Sequence, residues 1–147
     1  MPKNMSRIAR SIHIRAPSTD VWAAIADIEA WPEWASQFRR LERLDASPLA
    51  AGSRVRVTPK GMPGAVWHVT DYQEGLSFTW ASSLLPGMRV TGGHTVAVDG
   101  NETTAEFWLE ASGALGKLLT PLLRRTVFSR NTRSATEGLK NYMERPA

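Results

Sequence analysis

Hydrophobic and polar positions change rhythm three times along the chain. In "RSIHIRA" (residues 10–16) Ile12 and Ile14 alternate with polar neighbours, the pattern of a half-buried strand. "PSTDVWAAIADI" (17–28) then shifts to helical spacing, with Val21, Trp22, Ile25 and Ile28 recurring on one face. Ser18 or Thr19 is placed to cap this helix, and Asp20 suits its positive end. Pro32 suits the first turn of a second short helix, "PEWASQF" (32–38). Six strand-like runs follow, at 39–45, 53–59, 65–72, 76–83, 89–98 and 103–111. The breaks between them, such as "KGMPG", "LLPG" and "VDGN", are short and rich in turn residues, which predicts an antiparallel meander. The last third returns to helical spacing. Thr120-Pro121 predicts an N-cap and first position. Leu123, Val127, Asn131, Ala135, Gly138, Leu139 and Tyr142 fall on one side, with Arg125, Ser129, Thr132, Arg133, Thr136 and Lys140 on the other.

The expected order is therefore strand, two short helices, six strands, one long helix: an α+β chain read as a single domain over residues 1–147. A sheet of this size has little helical cover unless it curves around the long helix. A curved sheet and a straight helix cannot touch everywhere, so an internal cavity is expected between them. Gly92-Gly93 inside a strand reads as a bulge or bend that assists the curl.

Bulk properties narrow the class. A chain of 147 residues, 42% hydrophobic and 22% charged, can bury a globular core. No stretch is long and apolar enough to span a bilayer, and no apolar segment follows the basic start "MPKNMSRIAR", so neither stable membrane insertion nor secretion is expected. The absence of cysteine excludes disulfide and thiol chemistry and fits a cytoplasmic setting. The net charge of +4 comes from dispersed cations without a recognition helix or RNA-binding aromatic signature, so no nucleic-acid partner is expected.

Four stretches carry a family likeness: "IHIRAPSTDVWAAIADIEAWPEWASQF", "PGMRVTGGHTVAV", "EASGALGKLL" and "GLKNYME". Together they resemble the polyketide cyclase/dehydrase group of the superfamily that joins START domains to the birch-pollen-allergen fold. The resemblance implies a helix-grip fold, with a curved antiparallel sheet (β-α-α-β6-α) wrapped around a long C-terminal helix. It implies a cavity for a hydrophobic or amphipathic small molecule such as a lipid, polyketide or aromatic metabolite. It leaves open whether the chain carries a ligand or acts as a cyclase, aromatase or dehydratase, since this scaffold hosts both.

Signatures of chemistry are sparse. "GALGKLLT" lacks the first glycine and the final hydroxyl of a phosphate loop. His13, His68 and His94 each stand alone in separate strands, so no metal or other cofactor is expected. By parity His94 lies with Val90, Val96 and Val98 on the face toward the long helix. It reads either as a proton donor or acceptor to a ligand or as a buried neutral imidazole bonded to a carbonyl. Asn131, mid-helix on the apolar side, needs a polar partner there. Were there catalysis, His94, Asn131 and Tyr72 would supply it. Phe78 and Trp80, two positions apart, suggest an aromatic wall, and Trp67, Val96, Phe107, Leu109, Leu123, Val127 and Ala135 complete the expected lining. Trp22, Trp31 and Trp34 are assigned chiefly to packing. Trp108, of opposite parity to Phe107, reads as a lone outward tryptophan or a homodimer contact. Arg39, Arg40 and Arg43 stand near the expected mouth, either as a solvated face or to meet an anionic group.

Overall fold

Alternation does build a seven-stranded antiparallel sheet. The computed structural model describes residues 7–146. The basic opening read for a targeting segment falls mostly on residues 1–6, outside them. The strands are β1 (Arg7–Ile14), β2 (Phe38–Arg43), β3 (Arg54–Pro59), β4 (Ala65–Gln73), β5 (Ser77–Leu85), β6 (Met88–Asp99) and β7 (Glu102–Ser112). Their spatial order is β1-β7-β6-β5-β4-β3-β2, a meander to which the first strand returns beside the last. Register shifts at Phe38/Arg40, Val69/Asp71 and Ser82/Leu85 break the ladder where the sheet curls.

Gly92 and Gly93 are not a bulge: pairing runs through them unbroken on both sides. They are glycines because tryptophans lie on them. A Cβ on Gly92 would meet the Trp80 indole at 3.2 Å on the inner face, and one on Gly93 would meet the Trp108 ring at 2.1 Å on the outer face. Trp108 thus sits outside the sheet, flat against Gly93, with the Arg7 guanidinium 3.7 Å above its ring and Arg7 paired to Glu110 at 3.0 Å. Its outward position is accounted for within the chain.

Helix α1 (Ser18–Ala26) starts one residue earlier than a hydroxyl cap would place it. Pro17, held extended, is the N-cap, and its carbonyl accepts from Asp20 and Val21, with no side-chain cap bond. The second short helix also lies upstream of its expected place, as a 3₁₀ turn at Ile28–Glu33 with Pro32 inside it. Strand β2 begins at Phe38, so too few residues remain after Pro32 for the helix expected there. The intervening Trp34–Gln37 instead strap onto the C-terminal helix. Ser134 donates to Gln37 Oε1 at 3.0 Å, and Gly138 lies so close that a Cβ would stand 1.8 Å from the Trp34 carbonyl.

The single long helix is two. Helix α2 (Gly113–Arg125) begins directly after β7, and α3 (Val127–Glu144) follows a break at Thr126. Pro121 therefore lies inside α2 rather than opening a helix. Gly113, at φ +85, makes the early start possible: any Cβ would stand 2.5 Å from the Gly87 carbonyl. The buried face of α3 is also rotated from the expected one. It carries Phe128, Thr132, Ala135, Thr136 and Leu139, while Val127 is exposed. Thr132 and Thr136 pack as if apolar because each hydroxyl donates to the carbonyl four residues back, at 2.9 and 2.8 Å. Helix α3 crosses β1 and β7, and α2 covers β6 and β7. The main core lies between α1, α3 and the sheet. A smaller one, around Met88, Val90, Ala111 and Phe128, lies under α2.

Candidate functional site

Between α3 and the concave face of the sheet is a cavity of about 70 Å³. Its walls include Trp67, Trp80, His94, Phe107 and Leu109 from the sheet and Asn131, Thr132 and Ala135 from α3. Seven of the residues expected to line it are there: Trp67, Trp80, His94, Phe107, Leu109, Asn131 and Ala135. The others are elsewhere. Phe78 is fully buried behind His94, Val96 belongs to the main core, Leu123 packs on the smaller core, and Val127 faces solvent at 54% exposure.

Sequence reasoning undervalued Trp31, which lines the cavity and packs against its aromatic walls. Its ring contacts those of Trp34, Trp80 and His94, each at 5.2 Å between centroids, and lies nearly parallel to Phe107 at 6.5 Å. Its indole Nε1 donates to the Ile25 carbonyl at 2.9 Å, serving an acceptor in the last turn of α1 that the helix itself leaves open. The "WPEW" corner is therefore both packing and plug. Phe38, Val57 and Thr132 also border the cavity unanticipated. Thr132 was hidden by its polarity, which the back-bond to Phe128 removes.

His94 is enclosed by rings. It stacks on Phe78 at 4.3 Å, and Trp31, Trp80 and Phe107 present edges or faces within 5.5 Å. Its Nδ1 lies 3.2 Å from the Phe78 carbonyl. A carbonyl can only accept, so Nδ1 carries the proton and Nε2 is left as an acceptor. Burial among apolar rings lowers the imidazole pKa from 6.5 to about 3, against a smaller opposing effect of the Phe78 bond, so the ring is neutral at physiological pH. The Phe78 carbonyl fixes one ring nitrogen, and no hydrogen bond among the described residues engages the other.

Asn131 borders the cavity, half-buried, and its side-chain amide has no hydrogen bond among the described residues. Its backbone carbonyl accepts from Gln37 Nε2 at 3.4 Å. Tyr72 is not brought to this site. Its hydroxyl donates to Glu74 Oε1 at 2.5 Å, and Trp22 Nε1 donates to Glu74 Oε2 at 3.0 Å, fastening α1 to the β4–β5 turn. Burial and the Glu74 carboxylate raise the Tyr72 pKa to about 12. Arg43 is engaged locally, donating to the Ser47 carbonyl, while Arg39 and Arg40 are exposed. His13 sits at the sheet edge between Asp99 and Glu102, and His68 is exposed on β4. Among the described residues no group of three or more such side chains has metal-holding geometry. No described helix is long and apolar enough to cross a membrane.

The fold recurs among solved structures at low identity. A START superfamily protein from Mycobacterium smegmatis is 12% identical, with TM-score 0.76 over 94% of this chain and 97% of its own. A hypothetical protein from Helicobacter pylori is 13% identical, with TM-score 0.79 over 98% and 92%. The di-domain ARO/CYC StfQ from the steffimycin biosynthetic pathway is 15% identical, with TM-score 0.75 over 95% of this chain and 50% of that one. At these identities the likeness carries the fold alone. No match is found among curated proteins. The family described as polyketide cyclase / dehydrase and lipid transport matches residues 5–144, and with the curved sheet, the gripped helix and the cavity between them, the chain belongs to that family.

Proposed function

We propose that this chain binds a small amphipathic molecule, with an apolar body and a hydrogen-bond donor, in the cavity beneath Trp31. The observation that carries the reading is the state of His94: a neutral imidazole, fixed at Nδ1, with Nε2 left as an acceptor beside an otherwise apolar sheet wall. The free Asn131 amide on the opposite wall offers a second polar contact. As closed, the space has room for about two waters, whereas sites for drug-sized ligands span about 300–1,000 Å³. A ligand larger than a few atoms enters only if the Trp31 indole gives way, so a planar ring that replaces the indole against Phe107 is favoured over a long acyl chain.

A second reading, a cyclase or dehydratase acting on a carbonyl-rich substrate, is supported by the same free Nε2 acting as general base. Its weakness is quantitative. A base whose conjugate acid has a pKa of about 3 accepts a proton poorly, although it accepts a hydrogen bond well. The balance favours binding.

The test is a thermal-shift and calorimetry screen of aromatic alcohols, their methyl ethers and fatty acids against wild type and His94→Leu. Aromatic alcohols should bind, and the variant should lose roughly three- to tenfold in affinity for the alcohols but not for the ethers, the worth of one hydrogen bond. Equal affinity of both proteins for the alcohols would remove His94 from the site. Measurable turnover of a polyketide mimic, abolished in His94→Leu, would favour the enzyme.

A further inference from the structure

Helix α2 carries a feature that the cavity does not explain. Its inner stripe, Leu115, Leu119 and Leu123, packs on the smaller core. Its outer side nevertheless presents Leu118 at 74% and Leu122 at 60% exposure, one turn apart, and Val127 beyond the break is 54% exposed. Large aliphatics on both sides of a surface helix leave the outer ones without a partner. Leu84 and Leu85, also exposed, stand at the β5–β6 turn, which abuts the start of α2 where Leu115 N–H donates to the Gly87 carbonyl at 2.9 Å. The charge along this stretch of chain has one sign. Residues 113–136 contain no Asp or Glu, and Lys117, Arg125, Arg130 and Arg133 are all exposed.

We propose that the outer face of α2 docks reversibly on an anionic lipid surface, with Leu118 and Leu122 entering the interface and the surrounding cations meeting lipid phosphates. Aliphatic crests flanked by Lys and Arg lie in the plane of such interfaces and draw on both apolar burial and charge. Charge complementarity selects this occupant. A second copy of the same face would set cation against cation, and nucleic acid offers nothing to two exposed leucines. Docking spans no membrane and needs no helix of spanning length. It also places the surface beside the cavity, since Trp67 and Leu109 line that space and pack under α2. The docking proposal does not depend on what the cavity holds.

The experiment is co-sedimentation of the full chain with vesicles of equimolar phosphatidylglycerol and phosphatidylcholine, and with pure phosphatidylcholine. Binding should favour the anionic vesicles and weaken with added salt. Leu118→Gln/Leu122→Gln should bind them about tenfold or more weakly with an unchanged melting temperature, since both side chains are exposed. Lys117→Gln/Arg125→Gln should flatten the salt dependence. Failure to bind either vesicle, equal binding to both, or undiminished binding by the leucine variant overturns the proposal. Binding to soluble polyglutamate with indifference to vesicles overturns it too, in favour of an acidic protein.

Discussion

His94 shows how much one side chain's surroundings decide. Above pH 6.5 its imidazole is neutral in both folded and unfolded chain. Below that, the unfolded chain takes a proton that the buried site refuses until about pH 3. Stability from this residue is thus complete above about pH 6.5 and is lost on acidification, by up to about 1.4 kcal/mol per pH unit. Glu144, held at about 2 chiefly by its bond to Lys140, adds a further loss only below its ordinary 4.5. Urea unfolding of His94→Gln should therefore show a flatter pH dependence than wild type from 6.5 down to about 3, with the two alike in slope above 6.5. Parallel slopes throughout would mean that His94 is not buried neutral. The inward parity of His94 was legible in the sequence; its tautomer was not, because the Phe78 carbonyl reaches it from a neighbouring strand. Gly93 taught the reverse lesson. A glycine in a strand suggests irregular backbone, yet here it makes room for Trp108. Gly93→Ala should destabilise by about 1–3 kcal/mol through overpacking, and much of that loss should vanish in a Trp108→Ala background, a coupling that a double-mutant cycle measures.

Among elements, the two C-terminal helices differ in what holds them. Helix α3 lies over the main core and is strapped by the Trp34–Gln37 segment, whereas α2 rests on the smaller core and contains Pro121. Native-state hydrogen exchange should open α2 at lower free energy than α3. Equal protection would show that the break at Thr126 does not separate them. The strap has its own signature. Alanine in place of a helical glycine ordinarily gains about 1 kcal/mol, but at Gly138 the new methyl would collide with the Trp34 carbonyl. A backbone oxygen cannot step aside, so Gly138→Ala should lose stability by chemical denaturation. Periodicity located the helical third and could not find the break, because apolar spacing continues through Thr126. The threonine back-bonds then turned polar letters into buried ones.

For the molecule as a whole, the meander and the gripped helix were readable, because alternation and turn residues are local signals that the sheet obeys; the return of β1 beside β7 is a long-range pairing they do not carry. The cavity was readable as a geometric necessity but not in its size. Curvature makes the space; Trp31 lines it and packs among its aromatic rings, and nothing in "WPEW" tells a tryptophan of the cavity wall from a cornering one. Trp31→Ala should accordingly cost about 3–5 kcal/mol, as a large aromatic lost from a core does, and leave a hollow that apolar ligands restabilise. In the proposed binding mode a ligand displaces the Trp31 indole and bonds to His94 Nε2. Nitrogen-edited NMR of the indole and imidazole signals during titration with 2-naphthol tests it most directly. The Trp31 Nε1–H and His94 Nε2 signals should move together while that of Trp22, anchored on Glu74, stays in place. Saturation that leaves Trp31 and His94 unmoved would contradict it.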